Sequence, residues 1–158
     1  MSRLDSMLRR LTAQRDGLNW AAAQIETLSG EVLDMGLGNG RTYDHLREVL
    51  PGRRIWVMDR VLQCHPSCTP PEADFLMGEA EPMLERLASQ GAPIVLAHYD
   101  FGMGIKAEDV AEAARLSPLI ARVMMPGGLI ISGQPLLGFA EIKGPDSIPP
   151  ERYLFYRT

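Results

Sequence analysis

No apolar run in this sequence approaches the ~20 residues that a membrane span needs, so nothing in it reads as a transmembrane helix. Cysteine is scarce. Cys64 and Cys68 are the only two, too few for the disulfide framework of a small secreted protein, which points to a reducing, cytoplasmic setting. Lysine is nearly absent: Lys106 and Lys143 are the only two among sixteen cationic residues, and the arginines that replace it are scattered rather than clustered. The formal net charge is -4, which argues against a general nucleic-acid binder, since such proteins carry a basic face. Residues 1–15 mix arginines with isolated apolar residues, without the continuous apolar stretch of a signal peptide. Internal repeats and low-complexity tracts are also missing.

What is present suits a single domain over residues 1–158. Residues 1–29 read as one or two helices, with Leu4, Met7, Leu8 and Leu11 and then Leu18, Ala21, Ala22, Ile25 and Leu28 at helical spacing. Asp16-Gly17 is expected to break or bend this run. From residue 30 to 133, short apolar segments alternate with helical patterns. Strands are expected at 31–34, 55–58, 75–77, 93–98 and 129–132, and helices at 42–49, 81–89 and 107–125. Residues 63–71 hold three prolines and read as a loop. Such alternation predicts an α/β fold, a doubly wound and mostly parallel sheet covered on both faces. In residues 134–158 the pattern changes to two short strand candidates, 139–142 and 152–156, expected to pair antiparallel at one sheet edge.

In an open α/β sheet, ligands bind beyond the carboxyl ends of the strands where strand order reverses. The first strand ends there in Asp34-Met35-Gly36-Leu37-Gly38-Asn39-Gly40, followed by a helix near Thr42. Glycines let the chain turn tightly and bring backbone N–H groups close to a ligand, and the helix directs its positive end to the same place. A dinucleotide site would place glycine at position 41. Arginine stands there instead, and an acid lies two residues ahead of the first glycine. This D-x-G-x-G-x-G spacing resembles the first motif of class I S-adenosylmethionine-dependent methyltransferases. The resemblance implies a Rossmann-like methyltransferase fold with S-adenosyl-L-methionine as cofactor and S-adenosyl-L-homocysteine as product. It implies that Gly36, Leu37, Gly38, Asn39, Gly40 and Thr42 surround the methionine part, with Asp34 helping to hold its ammonium group. Asp59, nineteen residues after Gly40 at the end of the second strand, is placed to accept both ribose hydroxyls, with Arg60 beside it. Gly78-Glu79-Ala80 falls where the family often has an acid and a small residue beside adenine, and Met125-Pro126-Gly127-Gly128 is similar to its Pro-Gly-Gly turn before the fifth strand.

Methyl transfer needs alignment and, for some acceptors, removal of a proton. The fourth strand ends in His98-Tyr99-Asp100. His98 can accept a proton or contact the cofactor through its backbone, and Asp100 can orient it or bind a cationic substrate. The pair does not match the Asn/Asp-Pro-Pro-aromatic motif of amino-directed nucleic-acid methyltransferases, which points to a small-molecule acceptor. Tyr43 and His45 on the first helix of the core are secondary candidates. Cys64, His65 and Cys68 lack the fourth ligand of a zinc site, so no metal is expected. With no usual helix between strands two and three and a short tail, little chain is left to cover a substrate. Closure by the N-terminal helices, or a homo-oligomer formed through them or through the C-terminal edge, would supply it. Two other readings stay open: a non-catalytic cofactor-binding or assembly protein, and an NAD-dependent oxidoreductase, which Arg41 disfavours.

Overall fold

Strand alternation of the apolar residues builds a seven-stranded sheet with helices on both faces. The computed structural model describes residues 2–158. In chain order the elements are α1 (Arg3–Gln24), β1 (Glu31–Met35), α2 (Arg41–Val49), β2 (Ile55–Asp59), β3 (Phe75–Met77), α3 (Ala80–Gln90), β4 (Ile94–Tyr99), α4 (Lys106–Val123), β5 (Met124–Ser132), β6 (Ala140–Ile142) and β7 (Leu154–Arg157). Two single-turn 3-10 helices, Pro66–Cys68 and Glu72–Asp74, punctuate the loop between β2 and β3. The strand order is β3-β2-β1-β4-β5-β7-β6. The first five strands in that order are parallel; β7 runs antiparallel to both β5 and β6. The expected mostly parallel α/β sheet with an antiparallel C-terminal edge is what forms.

Because side chains alternate across a strand, neighbouring residues of one strand enter different cores. Val32, Val57, Leu96 and Ile131 pack against α1 and α2. Leu33, Met58, Ala97 and Ile130 pack against α3 and α4. Every residue of β4 is buried, as expected for the middle of a parallel sheet.

Two local expectations change. The N-terminal segment is one unbroken helix, capped where the Ser2 hydroxyl accepts from the Asp5 N–H at 3.0 Å. Gly17 does not interrupt it. A Cβ there would stand 3.4 Å from Ile148 and 3.5 Å from Phe155, ordinary packing distances, so α1 passes the C-terminal edge at this point without a break. Pro126-Gly127-Gly128 lies inside β5 rather than ahead of it, and the β4–β5 register shifts between Ile94 and Leu96. Tertiary contacts hold this irregular stretch: the Gly127 N–H donates to the Thr158 carbonyl at 2.7 Å, and Arg157 donates to the Gly127 carbonyl. Among the described residues, no helix is long and apolar enough to cross a membrane.

Candidate active site

Strand order reverses between β1 and β4, and a cleft of about 590 Å³ opens beyond the carboxyl ends of the strands at that point. Its floor starts from the loop between β1 and α2. The three glycines of that loop all have positive φ, but each for a different reason. At Gly36 (φ +106°) a Cβ would come within 2.9 Å of the Asp100 carbonyl oxygen, so the glycine lets β1 and the end of β4 approach. At Gly40 (φ +84°) a Cβ would fall 2.4 Å from the Cβ of Cys68, so this glycine receives the Cys64–Cys68 loop. At Gly38 (φ +47°) a Cβ would meet nothing within 4 Å. Gly38 lines the cleft with Gly36, Leu37, Asn39 and Thr42, while Gly40 does not.

Asp59 ends β2 and faces the same space. Its Oδ2 accepts the Gly38 N–H at 3.0 Å, and its Oδ1 accepts the Val61 N–H at 3.4 Å. Arg60 donates to Glu79 at 3.1 Å and lies 3.7 Å from Glu112. Gly78 and Ala80 line the cleft, whereas Glu79 turns outward with its side chain 67% exposed.

Beneath this floor lies a buried pair. Asp34 and His98 are register partners on β1 and β4, and His98 Nδ1 stands 2.9 Å from Asp34 Oδ1 with both side chains fully buried. Burial disfavours the ionised carboxylate and pushes Asp34 above the usual range, against the His98 hydrogen bond that lowers it. Burial also works to lower His98, but the Asp34 hydrogen bond and charge outweigh it and hold the imidazole above its ordinary value. Asp34 Oδ2 and His98 Nε2 have no hydrogen-bond partner among the described residues.

The far wall comes from β4, β5, β7 and α1. The Gln14 amide donates to Asp100 Oδ2 at 3.0 Å, joining α1 to the end of β4. Asp109, almost fully buried, accepts from the N–H groups of Met103 (2.7 Å) and Gly104 (3.1 Å) and shapes the rim after β4. Since β7 runs antiparallel, it begins where β5 ends, with Ser132 opposite Leu154. Tyr153 therefore reaches the cleft, with its ring stacked 6.1 Å from that of His98. Burial, helped by the Asp100 charge, pushes the Tyr153 hydroxyl well up.

With that geometry in view, the comparisons are decisive about family. A family profile described as S-adenosyl-L-methionine methyltransferase matches residues 1–158. The chain belongs to this S-adenosyl-L-methionine methyltransferase family. The solved structure of an S-adenosyl-L-methionine methyl transferase from Silicibacter pomeroyi DSS-3 is similar at 37% identity and a TM-score of 0.92, over 99% of this chain and 98% of that one. Human methyltransferase-like protein 13 in complex with SAH shares the fold alone, at 12% identity and a TM-score of 0.50, over 97% of this chain and 79% of that one. Among curated proteins, no match was found.

The family's cofactor is S-adenosyl-L-methionine, and the cleft suits it in two observable ways. The Gly38 position leaves open the space where a side chain would stand, and the Asp59 carboxylate ends β2 facing the same cleft, a fitting acceptor for ribose hydroxyls; Asp34, expected to hold the cofactor's ammonium, is fully buried and does not line the cleft. Some residues singled out in the sequence stand elsewhere. His98 is fully buried, bonded to Asp34 and stacked on Tyr153, and does not line the cleft. It therefore lacks the substrate contact that a proton acceptor needs. Of the expected pair, Asp100 alone lines the cleft. Tyr43 is buried under Arg47, and His45 Nε2 lies 2.8 Å from Asn19 Oδ1 on α1, so both serve packing. His65 Nδ1 turns to Ser67 and Cys64 Sγ to the Cys68 carbonyl. Sequence reasoning missed Arg10, Gln14, Arg152 and Tyr153. For Gln14 a signal existed: a polar residue one turn from Arg10 in a helix whose inner face is otherwise apolar.

Proposed function

We propose that this protein transfers a methyl group from S-adenosyl-L-methionine to a small-molecule acceptor in the cytoplasm. The observation that carries the reading is one continuous cleft with two unlike halves. Over β3, β2 and β1 it offers the Gly36–Asn39 backbone, Thr42 and Asp59; over β4, β5 and β7 it offers Asp100, Gln134 and Tyr153. When bound, the cofactor supplies a methyl group on positively charged sulfur, activated for in-line displacement. Asp59 would hold the ribose hydroxyls. Asp34, fully buried and bonded to His98 through Oδ1, would support the glycine loop from beneath rather than touch the ligand. Asp100, held by Gln14 through Oδ2, would accept a hydrogen bond or a proton from the acceptor's N–H or O–H. The roughly 5 Å between neighbouring strands puts Asp100 one strand from the glycine loop, a short reach for alignment. A calorimetric titration tests the first half: S-adenosylmethionine and S-adenosylhomocysteine should bind, and NAD should not. A screen of metabolites for methyl acceptance tests the second. Binding without transfer to any acceptor would favour a non-catalytic binding protein instead.

A further inference from the structure

The acceptor half of the cleft carries cations that the rest of the fold leaves unmatched. On the cofactor side Arg60 is tied to Glu79 and Glu112, while Arg41 at the start of α2 lines the cleft without an acidic partner among the described residues. Arg10 and Arg152 also line the cleft, yet among the described residues neither has an acidic partner. They come from distant parts of the chain and converge for two structural reasons. Arg10 stands four residues before Gln14 on α1, one turn along the same face, and Gln14 is bonded to Asp100. Arg152 immediately precedes Tyr153, which antiparallel β7 delivers to the carboxyl end of β5.

We infer that the acceptor is a small carboxylic acid: its carboxylate is held by Arg10 and Arg152, and its N–H or O–H nucleophile faces Asp100. The inference rests on the methyltransferase reading above and supplies its substrate class. Guanidinium groups match carboxylates with paired N–H donors, and they do so best where no protein acid competes. The cofactor has a carboxylate of its own, but position argues against it as the occupant. On that reading the cofactor's amino-acid end would sit over the glycine loop at β1, whereas Arg152 lies at β7, three strands away in the order β1-β4-β5-β7. At ~4.8 Å per strand that is roughly 14 Å. Asp100 at β4 lies between them, so an acceptor spanning β4 to β7 has its nucleophile toward the glycine loop and its carboxylate away from it. In the transfer step the acceptor's N or O lone pair forms the new bond to the methyl carbon. The carbon–sulfur bond breaks with its electrons going to sulfur, giving S-adenosylhomocysteine, and the proton displaced from N or O passes to Asp100 or to solvent.

The test titrates protein already loaded with S-adenosylhomocysteine against small hydroxy and amino carboxylic acids, each paired with its primary amide, and reads melting temperature and calorimetric Kd. At least one acid should raise the melting temperature further while its amide does not. Arg10→Gln and Arg152→Gln should each weaken that acid about tenfold to a hundredfold, the loss of one charge-assisted contact. Both variants should keep the wild-type affinity for S-adenosylhomocysteine, which also shows that they are folded. Amides binding as well as acids, or no acid binding while S-adenosylhomocysteine does, would overturn the inference and leave the methyltransferase reading standing. A tenfold loss of S-adenosylhomocysteine affinity in the variants would overturn it too, by assigning the arginines to the cofactor's carboxylate. If S-adenosylhomocysteine itself fails to bind, the parent reading falls and this one with it.

Discussion

The two halves of the cleft are built on different principles. The half over β3, β2 and β1 is mostly backbone: a five-residue turn, its N–H groups and one carboxylate at a strand end. The half over β4, β5 and β7 is mostly side chains from far apart, such as Gln14 and Asp100, separated by 86 residues. Backbone presents the same groups whatever the side chains, so the first half suits a constant ligand. The second can be re-specified by substitution without disturbing a turn. Between the halves runs the β1–β4 seam, and the buried Asp34–His98 pair crosses it.

Breaking that seam should have the largest effect. His98→Ala leaves the Asp34 carboxyl fully buried with no partner, and removing one member of a buried pair costs about 3–5 kcal/mol. Urea unfolding should show the loss, and a change below about 1 kcal/mol would mean that the pair does not join the halves. Next come two glycines that lie two residues apart in sequence and answer to different surroundings. Gly40→Ala pushes a methyl group into Cys68 and should destabilise the fold by about 1–3 kcal/mol, the usual range for overpacking. Gly38→Val meets no protein atom near its Cβ, so the chain should stay folded apart from the roughly 1–2 kcal/mol that an L residue costs at positive φ, while cofactor affinity disappears. Unchanged S-adenosylhomocysteine affinity in Gly38→Val would remove this loop from the site.

Asp59→Ala belongs to the cofactor half alone. Hydrogen bonds to charged groups are worth about 1.5–3 kcal/mol, so affinity for S-adenosylhomocysteine should fall roughly tenfold to a few hundredfold. The ligand-free melting temperature should fall by about 2–4 °C, because Asp59 also accepts the Gly38 and Val61 N–H groups, and the ligand-induced rise should shrink. Equal rises in variant and wild type would take Asp59 out of the site. The smallest effect is a pH dependence at the seam. Asp34 and His98 are both shifted upward, so the folded pair binds more protons than the unfolded chain does. Stability from His98 is then fully present below its unfolded pKa of about 6.5 and is lost as pH rises through the higher folded value, by at most about 1.4 kcal/mol per pH unit for one proton. Urea midpoints at pH 6 and pH 8.5, with the His98 ring followed by NMR, check the sign; a ring midpoint below 6.5 would reverse it.

Much of this was legible in the sequence because it is local. Short continuous apolar runs bounded by glycine and proline mark β1 to β5, and a turn that must run through positive φ at positions 36, 38 and 40 marks itself with glycine. Arginine at position 41 and the acid at 34 set the motif apart from a dinucleotide fingerprint without any structure. Local rules failed where a residue answers to a distant neighbour. Gly17 reads as a helix breaker, yet α1 runs through it unbroken, packed against Ile148 and Phe155. Pro126-Gly127-Gly128 reads as a turn, yet the chain's last residues draw it into β5.

The sequence by itself determined the strand and helix segments, the positive-φ turn after β1 and the acids at the ends of β1 and β2, because these depend on stereochemistry and hydrophobic period within a few residues. Only the tertiary structure decided that Gly38 faces the cleft and Gly40 the Cys64–Cys68 loop, and that His98 is sealed under Tyr153 while Asp100 stays open. It also decided that Arg10, Gln14 and Arg152 share one wall. The reason is strand order. Inserting β7 antiparallel beside β5 and laying α1 across it brings together residues 10, 100 and 152, and no local pattern in the chain encodes that adjacency.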